Sequence, residues 1–168
     1  STAMHGFHAN YLSGLDHEAC ILCHPGRKTG NTSCSRGRHD SKNLTCIHCH
    51  GSMEDHGRAL LKHEIGYGKS AALRTAANLE GRSIADMSGV NPRIPWLMEP
   101  DCRNCHGNFD IRGQTAMTPS FNNWVPGFTA LYRNRKDNQG MMCAACHGSP
   151  HAIYPTINKY GKDRDNIQ

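Results

Sequence analysis

The stretch CIHCHGSMEDHGRALLKHE (46–64) decides how this chain folds. It opens on Cys46, Cys49 and His50, a Cys-x-x-Cys-His pentapeptide. It continues through Ser52, with Asp55 three residues on, which is close to a capping box and predicts a short helix. On that helix His56, Leu60 and His63 fall at i, i+4 and i+7 and share one face. The stretch holds four histidines: His48, His50, His56 and His63. The pentapeptide requires only His50, so the other three need a reason.

The pentapeptide recurs. CILCH occupies 20–24, CRNCH 102–106 and CAACH 143–147. Cys-x-x-Cys-His is the attachment signal of c-type haem. Two thiols at that spacing add across the two haem vinyl groups, and the next histidine puts its imidazole on the iron. The reading makes Cys20, Cys23, Cys46, Cys49, Cys102, Cys105, Cys143 and Cys146 thioether anchors for four haem c groups. His24, His50, His106 and His147 become the proximal iron ligands. The competing reading is a pair of zinc ribbons. It does not require a histidine after each cysteine pair. The 22 residues between Cys23 and Cys46 and the 37 between Cys105 and Cys143 also exceed the usual zinc-ribbon gap.

Composition fits a haem-filled interior. Of 168 residues only 37% are apolar and 7% aromatic, thin for a core of that length. Gly and Pro are frequent, so long regular elements are few. The expected fold is mainly α with much irregular loop and little or no sheet, its core built from four packed haems. A single domain over 1–168 is expected, as a whole chain or as part of a longer one. No apolar run approaches ~18 residues, so no transmembrane segment is expected. The protein part carries +5. Two propionates per haem bring that to about +1 oxidised and about −3 reduced, which weakens any case for nucleic acid as partner. Arg27, Lys28, Arg36, Arg38, Arg58, Arg103, Arg133 and Arg135 are candidates to neutralise propionates.

Eight histidines remain beyond the proximal four. Second axial ligands would use four of them, and the surplus favours six-coordinate, bis-histidine irons. His8, His39, His56 and His151 are the favoured distal ligands, with His5, His63 and His17 as alternates. His151 follows His147 too closely to pass round the same macrocycle and should reach a neighbouring haem. His48 lies between two thioether cysteines and reads as a bystander. Cys34 has no partner cysteine; a buried free thiol, an intermolecular link and an axial ligand stay open for it.

Between motifs two and three, KSAALRTAANLEGRS (69–83) has helix composition and spacing. NPRIPWLMEPD (91–101) is expected to be extended, because its three prolines forbid helix. Trp96, Leu97 and Met98 are expected on a haem face or in the ordinary core. A short helix is expected near 128–135. Met117, Met141 and Met142 read as packing residues.

The four motifs, HGFHANYLSGLDHEACILCH at the start and CAACHGSPHAIYPT near the end together resemble the multihaem c-type cytochromes of metal- and sulfur-respiring bacteria, the Geobacter and Desulfuromonas type. The resemblance implies a periplasmic or extracellular electron carrier with low-potential bis-histidine haems, serving anaerobic respiration. It also implies that His151 binds a neighbouring haem, and that KYGKDRDNIQ at the end resembles a segment that in larger relatives runs on to further motifs. Other redox proteins are the expected partners, with assembly into a homo-oligomer or filament as a variant. The alternative is a multihaem reductase with one open iron; that all four motifs end in His counts against it. Thioether attachment happens outside the cytoplasm, so export is expected.

Overall fold

The computed structural model describes residues 1–24, 37–106, 120–125, 127–137, 139–147 and 151. Among the described residues seven α-helices run in order: α1 (Thr2–Tyr11), α2 (His17–Ile21), α3 (Gly37–Ser41), α4 (Cys46–His50), α5 (Met53–Gly66), α6 (Ser70–Ala76) and α7 (Cys143–His147). Tight 3₁₀ turns at Met87–Gly89, Cys102–Asn104, Ser120–Asn122 and Phe128–Ala130 punctuate the long connections. The molecule is mainly helical, and among the described residues it has no sheet. Isolated antiparallel bridges join Pro100 with Trp124 and Lys136 with Met142.

Helix α5 organises the rest. Ser52 caps it: its hydroxyl accepts the Asp55 N–H at 3.1 Å. Gly51 precedes it at φ +80, and a β-carbon there would meet the Phe121 ring at 2.8 Å. Glycine therefore serves both the left-handed backbone and the close approach of the 120–122 turn. Asp55 is fully buried and does more than cap. Its carboxylate accepts the N–H groups of Arg82 (3.1 Å) and Ser83 (2.9 Å) and lies 3.9 Å from Arg58. Arg58 donates to the carbonyls of Ile84 and Ala85, and Lys62 to those of Met87 and Ser88. One face of α5 thus holds the 82–88 loop by its backbone.

That loop explains a difference from the sequence expectation. Helix α6 covers 70–76, not the whole of 69–83. The N–H groups of Arg82 and Ser83 go to Asp55, and a chain that satisfies that buried carboxylate cannot continue as helix.

The opposite face of α5 packs on α1. A β-carbon on Gly57 would lie 3.2 Å from the Ala9 side chain and 3.4 Å from the His5 carbonyl, and one on Gly6 would press on Leu61 at 3.1 Å. Two glycines facing each other's helix let the backbones approach closely. The apolar cluster around this contact is small: Ala9, Ala19, Met53, Leu61, Ala72 and Leu79. Residues 91–101 form no helix, as their prolines require. Residues 128–135 carry one 3₁₀ turn followed by irregular turns in place of the expected helix. Trp96 is 81% exposed and Leu97 52%.

Candidate functional site

Each pentapeptide begins a helical turn at its first cysteine. The His24 N–H donates to the Cys20 carbonyl at 2.9 Å, and the His106 N–H to the Cys102 carbonyl at 2.8 Å. The second and fourth motifs coincide with α4 and α7. A helical turn puts residues i, i+3 and i+4 on one face, so both thiols and the imidazole can serve one ligand. The caps are local. Asp101 accepts the Arg103 N–H at 3.0 Å to start the third motif. His48 caps the second: its Nδ1 accepts the Thr45 N–H at 3.0 Å. The histidine read as a bystander therefore shapes its own motif.

The motif cysteines form no disulfides. Cys46 is held below the usual thiol range by a hydrogen bond from Cys20, against the effect of burial. Cys49 is pushed up to about 11 by burial, with Cys105 and Cys102 close by. These effects put the first motif beside the second and the second beside the third.

The histidines come together in pairs. His5 and His24 have ring centres 6.2 Å apart, His39 and His106 6.0 Å, and His50 and His151 6.0 Å. Each pair joins one motif histidine to one from elsewhere in the chain. An imidazole nitrogen binds a transition metal at about 2.0–2.1 Å and its ring centre lies about 1.1 Å behind, so two imidazoles trans across one metal have centres about 6.3 Å apart. The three pairs match that spacing closely. Among the described residues no three His, Cys, Asp or Glu side chains converge as a metal site. What recurs is the facing pair, which suits a metal whose other positions a porphyrin fills.

Protonation fits ligand duty as well. His50 is pushed down to about 3 by burial, helped by Arg93, His151, His24 and His5. His5 is lowered by burial against the opposing hydrogen bond to the Ser1 carbonyl. Neutral imidazoles keep the lone pair a metal needs. In His5 the Nδ1–H donates to the Ser1 carbonyl at 3.0 Å, which orients the ring and turns Nε2 away from that bond.

The remaining candidates are placed differently. His56 lies 4.8 Å from His5 and 5.8 Å from His50, ring centre to ring centre and nearly perpendicular to both. Burial, then Arg93, His50 and His5, lower its pKa well below the ordinary histidine value, while a hydrogen bond to the His50 backbone opposes them. The Arg93 guanidinium lies 3.3 and 3.4 Å from its two ring nitrogens. His8 holds the Met4 carbonyl through Nδ1 at 2.8 Å and packs against Phe7. His17 contacts Glu18 at 3.2 Å. His63 packs on Tyr67, and its buried Nδ1 makes no hydrogen bond. Among the described residues no second imidazole faces His8, His17 or His63. The His147 side chain, Arg27, Lys28, Cys34, Arg36, the Arg38 side chain and Met117 lie outside the described residues. Arg93, which the His56 ring links to the His5–His24 and His50–His151 pairs, is the neighbour that sequence reasoning missed; its place among prolines carries no signal of burial. The chain matches no family model, no curated protein and no solved structure.

Proposed function

We propose that this chain is an electron carrier holding four covalently attached haem c groups, at least three of them between two histidines. The carrying observation is that His24, His106 and His50 each stand 6.0–6.2 Å, ring centre to ring centre, from an imidazole outside the motifs and nearly parallel or tilted to it, with His56 edge-on to His50 at 5.8 Å. Haem when bound supplies one-electron chemistry between ferric and ferrous iron. The cysteines of the four motifs hold it by thioethers. His24 with His5, His106 with His39 and His50 with His151 would hold three of the irons, and His147 of the last motif would serve the fourth. Two protein ligands per iron leave no open position at those three sites and favour electron transfer over substrate turnover. Partners are other redox proteins met outside the cytoplasm, where thioether attachment takes place. No described helix is long and apolar enough to cross a membrane.

Two measurements test the reading. Denaturing mass spectrometry of the mature protein should show a mass increase of four haem groups; an unmodified chain would sink the proposal. Electron paramagnetic resonance of the oxidised protein should then show low-spin signals for the three paired sites. His39→Ala should turn one low-spin haem high-spin and leave the others unchanged.

A further inference from the structure

We infer that Arg93 is a fixed cation that raises the reduction potentials of two particular haem sites, those held by His5 with His24 and by His50 with His151. This rests on the reading of those pairs as iron ligands. Arg93 is tightly braced. Its Nε donates to the Met98 carbonyl at 3.2 Å, its guanidinium lies 5.3 Å over the Trp124 ring, and its backbone N–H donates to the Ala59 carbonyl at 2.9 Å. Its Nη1 meets the His56 ring, and that ring is 4.8 Å from His5 and 5.8 Å from His50. Among the described residues no carboxylate lies within ion-pair distance of it, and Glu99 is the carboxylate whose charge it feels from further away. A half-buried positive charge acts more strongly on its neighbours than one in bulk water. Adding one electron to an iron beside it is favoured, since the reduced site carries one positive charge less.

The reach of this charge is selective. The guanidinium meets the His56 ring at 3.3 Å, and that ring stands beside His5 and His50, one from each of the two sites. The third motif has its own charges: Arg135, Glu99 and Asp101 act on Cys102. His56 gains a role in this arrangement. It stands between the guanidinium and the ligand imidazoles and holds the cation at a set distance from both sites.

The test compares the holoprotein with Arg93→Gln, Arg93→Met and Arg93→Lys. Haem is counted in each by denaturing mass spectrometry. Dithionite titrations in an optically transparent cell, with resonance spectra at fixed poise, resolve the individual haems. In both neutral variants two of the four couples should move to lower potential, by at least tenfold in the reduction equilibrium, about 59 mV for one electron. Arg93→Lys should move them much less. Haem-replete neutral variants with unchanged couples, or with all four shifted alike, overturn the inference. Loss of haem from both neutral variants also overturns it, by making Arg93 a structural residue. A wild-type chain without haem would instead remove the proposed function itself.

Discussion

His50 shows how burial at one residue becomes chemistry. Its imidazole titrates near 3, mainly because burial penalises the charged ring. In the unfolded chain a histidine takes up its proton near 6.5. Between those values the unfolded state binds the proton and the folded state does not, so stability falls as pH drops through the window and returns as pH rises. His5 and His56, lowered for the same leading reason, add in the same direction. Thermal melts of the haem-loaded protein from pH 7.5 down to pH 4 should show a steadily falling Tm, since burial and iron ligation both keep these rings neutral in the folded state. A Tm that holds level or climbs over that range would contradict the burial of these rings. His48 illustrates the converse at the same scale: a histidine satisfied by the Thr45 N–H has its Nδ1 spent on a cap.

At the scale of elements, the α1–α5 contact brings His5 to its partners. Gly57 itself lies on Ala9 and the His5 carbonyl. Gly57→Val puts branched carbons into that contact, an overpacking that costs about 1–3 kcal/mol. Its Tm should fall, and in the haem-loaded protein the site shared by His5 and His24 should lose its low-spin signal before the others do. Equal stability and an intact signal would show that the helices do not need this close approach. Asp55 plays the matching part on the other face of α5. Its capping role was legible from Ser52 and its three-residue spacing. Its hold on Arg82 and Ser83 was not, because that depends on a loop returning from well beyond the helix.

Over the whole molecule, the buried apolar side chains among the described residues are few for a chain of 168 residues. The cluster between α1, α5 and α6 is dominated by alanines and a few larger side chains. Trp96, Tyr67 and Phe128 meanwhile present most of their surface outward. Haem packed between the histidine pairs would supply the missing apolar contact at about 25 cal/mol per Å² of surface covered. The chain with all eight motif cysteines replaced by alanine should therefore melt broadly, without a sharp transition and with weak near-ultraviolet circular dichroism. A sharp melt matching the haem-loaded protein would show that the polypeptide core suffices.

The four motif turns were readable because a Cys-x-x-Cys-His segment is local: five consecutive residues in one helical turn carry the spacing of thiols and imidazole within themselves. Helical character and the shortage of core were readable from composition for the same kind of reason, since both are sums over neighbours. Which histidine stands opposite each motif was not readable. His5, at the start of α1, reaches His24 only because glycines let α1 lie against α5. His39 reaches His106 and His151 reaches His50 across long stretches of intervening chain. His56, on the expected helix face, faces Arg93 and the His50 backbone. Facing across space is a property of packed elements, and packing is decided by the tertiary fold.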